Sequence, residues 1–415
     1  MAEALLRGPC IPHQGPDNEA ILCLYAFFTP FLHPPQIILP QSEYSIEAVP
    51  SATEVTRALS TYHHTTYLIL HSLTSLTHFP SCPSHLLPVP TLSSLILPLT
   101  FLASPEPSFC TPTISNLAMS LLEDLHPLIL ANPTIITRDI LHLTIRPLFQ
   151  TSAPNPSVTP MGRLRNPSAS SSRYQPSTFD ASSPQPTWQT SSFHLLQSFR
   201  YILTSLPKYH PAILLPSIWH LLVPPPLTLL ASHHHSHKIL GLITLYTLVK
   251  QTPPSLLIRT GLGGVFLDTL SPLTLALPSL TPREESLDLL PGTYDALIEL
   301  ISRRFPDDDS PSPPHGITSK LITTQSSTIS KKATVNRTRM AALDRLLRDS
   351  ILAGILHCPE ETGVVTILIH AMGLVVREMR GWSVRHLRVS ISLNTSFIIS
   401  TILIVSRSPF QSVVS

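Results

Sequence analysis

Apolar residues in this chain recur mainly at spacings of three and four, the period of a helix that buries one face. The first clear stretch follows Thr111-Pro112, a pair typical of a helix start. Its apolar residues are Ile114, Leu117, Ala118, Leu121 and Leu125. The spacing predicts an amphipathic helix that begins after Thr111.

The stretch from Lys238 to Lys250 is apolar nearly all round. One stripe contains Ile239, Leu242, Ile243 and Tyr246, and the opposite side contains Leu240, Leu245 and Leu248. Such a helix needs neighbours on both faces. The pattern therefore predicts an inner helix.

Helix start and stop signals follow at Thr281-Pro-Arg-Glu284, which has the pattern of a capping box with Pro282 at the first helical position. The helix that it opens carries Leu287 and Leu290, and Pro291-Gly292 is then expected to break it. The apolar stripe resumes at Tyr294, Leu297, Ile298 and Ile301.

Two long helices are predicted near the C-terminal end. The first has one apolar face and two ion pairs at i, i+4, Asp344 with Arg348 and Arg345 with Asp349. The apolar faces of the two helices are Leu343, Leu346, Leu347, Ile351 and Ile355, then Val365, Leu368, Ile369, Met372, Val376 and Met379. Because only a short turn with Pro359 and Gly363 separates them, we expect an antiparallel hairpin.

The stretches 151–190 and 306–335 are too poor in large apolar residues to form a core, so we expect both to be flexible. The predicted segments are an N-terminal helical region 1–150, a Ser/Pro-rich flexible linker 151–190, helical repeats 191–305, a flexible acidic and Ser/Thr-rich loop 306–335, a C-terminal helical hairpin 336–389 and an atypical tail 390–415.

The fold class follows from the succession of helices. Alternation with a period of two, which would indicate strands, is missing. Successive helices with proline-rich turns fit an all-α fold, an irregular α-solenoid of the HEAT or armadillo kind with a disordered internal loop. A globular helical bundle is the alternative.

Composition narrows the class of protein. The 27 Lys+Arg and 25 Asp+Glu among 415 residues leave a net charge of +2, which argues against a nucleic-acid-binding groove. Charged residues make up 13% of the chain, against about 25% in typical soluble domains. The 44 prolines and 13 glycines indicate short helices cut by prolines and exclude collagen.

The five cysteines are Cys10, Cys23, Cys82, Cys110 and Cys358. They include no Cys-x-x-Cys pair, so neither a disulfide framework nor a zinc knuckle is expected, and a reducing compartment fits. Charged residues precede the first apolar run at Ile21, an order unlike that of a secretion signal.

No membrane-spanning helix is expected. The range Ala58–Pro105 has no Asp, Glu, Lys or Arg, but its prolines and histidines prevent a continuous apolar helix. The run Ile391–Val405 is shorter than the ~20 residues that a span needs.

Two conspicuous motifs could bind a small ligand. The cluster His233-His-His235-Ser-His237 could in principle hold zinc or nickel, but no Cys, Asp or Glu adjoins it, and we interpret it as a solvated turn between helices. Gly261-Leu-Gly-Gly264 resembles a phosphate loop but lacks the following Lys-Ser/Thr, and we interpret it as a helix-to-helix turn.

No catalytic, cofactor-binding or metal-binding residues are assigned, and the partner-binding residues are unknown from the sequence. The pairs Glu284-Glu285 and Glu360-Glu361 are expected at helix starts, where the helix dipole favours acidic residues. The basic group Lys331, Lys332, Arg337 and Arg339 is interpreted as a solvated face.

One block has an order of motifs found in a known family. It comprises Val223-Pro-Pro-Pro-Leu-Thr-Leu-Leu230, Lys238-Ile-Leu-Gly241, Arg259-Thr-Gly-Leu262, Val265-Phe266, Asp268, Leu277-Pro278, Leu280-Thr-Pro-Arg-Glu-Glu-Ser-Leu287 and Tyr294-Asp-Ala-Leu297. The block resembles the Tel-two-interacting protein two family, subunits of the Triple-T (TTT) complex. Weaker similarity extends to Thr159-Pro-Met-Gly-Arg163, Trp188 and Ser383-Val-Arg-His-Leu387.

The resemblance implies a non-enzymatic scaffold that needs no cofactor. It implies two partner solenoid subunits, with which the chain would deliver phosphatidylinositol-3-kinase-related kinases to the heat-shock chaperone machinery, in the cytoplasm and nucleus. The DNA damage response and telomere maintenance are the processes that this implies. The alternative is an α-solenoid adaptor in transport or membrane traffic, with Ala58–Pro105 as its groove; an enzyme is a distant third.

The chain departs from the family pattern at two places. After the Leu-Thr-Leu-Leu helix it has Ala231, Ser232 and the histidines where relatives tend to have acidic residues. After Leu387 further helical repeats would be expected, and we therefore expect the tail 390–415 to reflect a truncated or misread C-terminus.

Overall fold

The computed structural model of the chain describes residues 18–38, 51–77, 88–104, 110–150, 157–159, 161–164, 193–205, 211–305, 336–380 and 382. Nearly all of these residues are helical. Within these ranges there is no β-strand, and Val158 and Leu164 form an isolated antiparallel bridge. The predicted all-α class is confirmed.

The chain divides into two units, residues 1–269 and 270–415. This division falls inside the predicted repeat block 191–305, and the six predicted segments remain predictions. The helices of the first unit are α1 (Asn18–Phe28), α2 (Ala52–Thr77), α3 (Val89–Leu102), α4 (Pro112–Ala131), α5 (Ile135–Ile145, a π-helix), α6 (Arg146–Gln150), α7 (Phe193–Ser205), α8 (Pro211–Leu222), α9 (Pro224–Leu230), α10 (His235–Gln251), α11 (Pro254–Thr260) and α12 (Leu262–Leu270), whose last residue is the first of the second unit.

Helices of the first unit pack mainly on near neighbours. Helix α3 contacts α4, α5 and α7, while α10 lies against both α7 and α9. The apolar side chains that α10 buries are Leu240, Leu242, Leu245, Leu248 and Val249. The predicted inner helix is confirmed, and this neighbour-by-neighbour burial is how a solenoid-like fold is stabilised.

Helix α4 begins where the sequence predicted. Thr111 is its N-cap, and the Thr111 side chain accepts a hydrogen bond of 3.4 Å from the N–H of Ile114. That bond satisfies one of the backbone donors that a helix start leaves free. The predicted stripe is buried at Ile114, Ala118, Leu121 and Leu125.

The second unit contains the predicted hairpin. Its helices are α13 (Arg283–Arg304), a helical stretch 336–345, α14 (Leu346–Leu352, a π-helix), α15 (Ala353–His357) and α16 (Thr362–Met379). Helix α16 packs against α13, α14 and α15, and Arg348 forms the predicted ion pair with Asp344 at 2.9 Å. The loop 306–335 and the tail 390–415 lie outside the described residues.

Helix α13 corrects two predictions. Its N-cap is Pro282 and no side chain caps it, so the predicted capping box at Thr281 is wrong. The helix also continues through Pro291 instead of breaking there. Buried side chains on both sides of the proline, including Leu290 and Tyr294, lie on the helix that packs against α16, and this burial outweighs the hydrogen bond that Pro291 cannot donate.

Candidate interaction surface

A short turn, described at residues 157–159 and 161–164, is held by its own hydrogen bonds. The N–H of Thr159 donates to the carbonyl of Arg163 at 2.8 Å, and the N–H of Gly162 donates to the carbonyl of Thr159 at 2.9 Å. The Thr159 hydroxyl oxygen accepts from the N–H of Arg163 at 3.1 Å. The flexible linker 151–190 stays a prediction, because only residues 157–159 and 161–164 of that range are described.

Helix α8 anchors one side of the turn. The Trp219 indole N–H donates to the carbonyl of Gly162 at 3.0 Å, and the indole is buried against Phe266 with ring centroids 6.4 Å apart. Gly162 has a φ of +65°, and a Cβ there would lie 3.0 Å from Trp219 Cδ1 and 3.1 Å from His220 Cα. Glycine is thus required by both conformation and space.

The end of α11 anchors the other side. The N–H of Leu164 donates to the carbonyl of Thr260 at 3.0 Å. Gly261 ends α11 in the left-handed conformation (φ +72°), and its own N–H donates to Leu257 and Ile258 carbonyls at 3.2 Å. The predicted turn is confirmed at Gly261, whereas Gly263 and Gly264 are part of α12.

Large apolar side chains on these joined elements face solvent. Met161 is 72% exposed, Ile258 58% and Leu164 44%. Arg163 and Arg259 are exposed beside them in the sequence. We call these five residues the Met161 surface. The sequence left the partner-binding residues unknown, and the signal that could have found this surface is the family-like motif Thr159-Pro-Met-Gly-Arg163.

The histidine cluster is only partly a solvated turn. Helix α10 begins at His235, and His237 is buried on its first turn. His237 Nδ1 lies 3.3 Å from the Ser232 hydroxyl, which also accepts a hydrogen bond of 3.2 Å from the N–H of His234. Burial, and secondarily the nearby His234, lowers the pKa of His237 to about 4. In the described ranges, no three His, Cys, Asp or Glu side chains are grouped to hold a metal ion.

We expect His237 to make the first unit less stable in acid. Its pKa falls from 6.5 to about 4 on folding, so the unfolded chain binds the proton more readily between these values. The stabilisation is complete above pH 6.5 and is lost as the pH falls toward 4. His237→Asn should flatten the pH dependence of the free energy of unfolding across this window, as measured by denaturant titration. Identical pH profiles for the variant and the unmodified chain would contradict this expectation.

Helices α9 and α10 approach each other closely at Gly241. A Cβ on Gly241 of α10 would lie 2.9 Å from both the Cβ of Leu229 and the backbone nitrogen of Leu230 on α9. The Lys-x-x-Gly motif therefore places glycine where two helix backbones approach closely. This contact helps to position α9, which also packs on α8, the helix that anchors the turn.

The predicted solvated basic patch is wrong at Arg339. This arginine is buried, and its Nη2 donates to Glu378 Oε2 on α16 at 2.6 Å. The Ser302 hydroxyl of α13 donates to the same oxygen at 3.4 Å. The three residues link three helical segments of the second unit, while Arg337 is exposed, and Lys331 and Lys332 lie outside the described residues.

A cleft of about 350 Å³ lies between α13 and α16, lined by residues that include Tyr294, Asp295 and His370. Burial raises the pKa of Asp295, and the His370 charge opposes that rise. The buried Tyr294 hydroxyl has no hydrogen-bond partner among the described residues, and burial raises its pKa as well. The volume is at the small end of those of ligand sites.

Acidic pairs occupy helix starts, as predicted. Glu284 and Glu285 lie in the first turn of α13, and Glu361 is the N-cap of α16. Glu361 makes no side-chain cap; its Oε2 instead forms an ion pair of 3.1 Å with Nε of Arg283. These positions agree with the interpretation of the pairs as helix-start residues.

The cysteines that the structure describes are free thiols. Cys110 and Cys358 are buried, and Cys23 is exposed. The Cys110 thiol donates to the Leu102 carbonyl at 3.2 Å, and burial raises its pKa to about 12. A thiol with so high a pKa is unreactive at neutral pH. Cys10 and Cys82 lie outside the described residues.

Helix α16 is long and apolar enough, by length and composition alone, to cross a membrane. Its buried residues are Val364, Val365, Leu368, Ala371, Met372, Val375 and Met379. Because α16 also packs along α13, the same composition suits a core helix. The predicted candidate Ile391–Val405 lies outside the described residues.

Comparison with known proteins identifies a family for this chain. The model of the Tti2 family matches residues 95–405, which is more than half of the chain and includes the turn 157–164, the Gly241 contact and helices α13 to α16. No curated protein and no solved structure matches the chain.

Proposed function

Because the chain belongs to the Tti2 family and so has a part in the Triple-T complex, we propose that it is a non-enzymatic scaffold subunit of that complex. The family is one of non-catalytic scaffolds, and we extend that property to this chain. The match over residues 95–405 is the observation that carries the proposal.

In the proposed role, the chain binds other solenoid subunits and through them supports the maturation of phosphatidylinositol-3-kinase-related kinases by the heat-shock chaperone machinery, in the cytoplasm and nucleus. The physical requirement is a surface large enough for a constitutive assembly, on the order of 2,000 Å² or more. Helices packed neighbour by neighbour, with large apolar side chains left exposed, support this role.

The alternative of a transport adaptor loses its main support. Its groove is expected in the uncharged range Ala58–Pro105, where Tyr67 is exposed but many of the other described apolar side chains are buried in the core. They include Ile69, Leu70, Leu73, Leu92, Leu95, Ile96 and Leu99. A groove for cargo or lipid would instead leave such side chains accessible.

The proposal predicts stable co-purification. When the full chain is co-expressed with the two other Triple-T subunits, we expect one complex in size-exclusion chromatography, and depletion of the chain from its own cells should lower the steady-state level of the kinases. Separate elution of the chain from both subunits would refute the proposal. Recovery of transport receptors or coat proteins in place of the subunits would favour the adaptor.

A further inference from the structure

We propose that the Met161 surface is a contact site for a helical partner subunit that presents an apolar helix face bordered by carboxylates. This inference rests on the proposed scaffold function and deepens it, because it says which part of the first unit is used and what chemistry the partner offers.

The first argument is that the turn is fixed before any partner binds. Four hydrogen bonds close it, and the Trp219 indole and the Thr260 carbonyl tie it to two helices. Gly162 and Gly261 both take left-handed conformations to allow the fit. A preorganised turn loses little conformational freedom on binding, which favours affinity.

The second argument concerns what the fixed turn displays. Met161 lies in the turn, and 72% of its surface is exposed. Leu164 of the turn and Ile258 of α11 are also exposed, and the hydrogen bond from Leu164 to Thr260 joins the turn to α11. Methionine is a flexible side chain that adapts to irregular apolar partners. Exposed apolar side chains that form a contiguous patch mark interaction sites in soluble proteins.

The third argument selects the partner's charge. Arg163 and Arg259 are exposed next to Leu164 and Ile258 in the sequence. Methionine and arginine are the residue types enriched in protein interfaces, where lysine and glutamate are depleted. Exposed arginines that adjoin exposed apolar residues in the sequence complement carboxylates at the edge of the partner's apolar face. The same arginines disfavour a basic partner.

The test uses the full chain co-expressed with the two other Triple-T subunits. Met161→Glu and Arg259→Glu change the proposed surface, and Met119→Glu is the matched control, since Met119 is exposed on α4 of the same unit. All three side chains are exposed, so the thermal unfolding midpoint should stay that of the unmodified chain. We expect the first two variants to recover about tenfold less of the partner subunits. The defect of Arg259→Glu should shrink as salt is raised, because exposed charges are screened.

The outcomes separate the two proposals. Loss of partners for Met161→Glu and Arg259→Glu, with retention for Met119→Glu, supports the Met161 surface. Normal recovery with Met161→Glu, or equal loss with all three variants, overturns the surface while the unmodified chain still co-purifies and the scaffold function stands. Failure of the unmodified chain to co-purify overturns the scaffold function itself and this surface with it.

Discussion

Leu347→Asp should unfold the second unit, with a loss of about 4 kcal/mol or more in its free energy of unfolding. Leu347 is fully buried on α14, and α14 packs against α16. The substitution would bury a carboxylate beside Leu343 and Ile351, which are also fully buried and offer no hydrogen bond. The charged form must then either remain desolvated or take up a proton, and both are unfavourable at neutral pH.

The measurement is denaturant unfolding followed by circular dichroism, combined with hydrogen exchange of peptides from residues 336–379. Hydrogen exchange of these peptides shows whether the lost stability belongs to the second unit. Leu356→Asp is the matched control, because Leu356 is 73% exposed on α15 and the same change there should cost under about 1 kcal/mol. Unchanged exchange protection in Leu347→Asp would show that this helix face is not part of the core.

Local periodicity was enough to predict several helices. The stripes on α4, α10 and the helices of the second-unit hairpin were visible because each depends on residues three and four apart. The start of α4 at Thr111 and the turn at Gly261 were predicted from single residues with strong conformational preferences. These local signals were sufficient to predict the all-α fold class.

The errors arise where distant residues decide the structure. Helix α13 runs through Pro291 because α16 packs along it, and Arg339 is buried because Glu378, on another helix, pairs with it. The sequence predicts a solvated turn at His237, although this residue lies on the first turn of α10 and is buried there. Proline usually breaks a helix and arginine is usually exposed, but tertiary packing can override both tendencies.

The Met161 surface could not be predicted for the same reason. Thr159-Pro-Met-Gly-Arg163 lies in a stretch poor in apolar residues, and its order depends on Trp219 and Thr260, which follow it by more than fifty residues. Composition alone therefore indicated flexibility. The family-like motif was the only sequence feature that marked this turn, but it carried no information on exposure.

Gly241→Ala should destabilise the first unit by about 2–3 kcal/mol, although alanine is the better helix former. The new methyl group would lie 2.9 Å from the Leu229 Cβ and from the Leu230 backbone nitrogen, well inside van der Waals contact. A backbone atom cannot rotate away as the end of a side chain can, so α9 and α10 must separate. Separation would open contacts made by buried residues such as Leu240 and Leu245.

Gly373→Ala is the matched control for this prediction. Gly373 lies within α16, and a Cβ there would meet nothing within 4 Å. The same substitution should therefore stabilise the chain by about 0.5–1 kcal/mol through helix propensity and a less flexible unfolded state. Opposite signs for the two variants in denaturant unfolding would attribute the effect at Gly241 to the α9–α10 contact. A stabilising Gly241→Ala would mean that the two helices can move apart without cost, and that the glycine is not needed for their close approach.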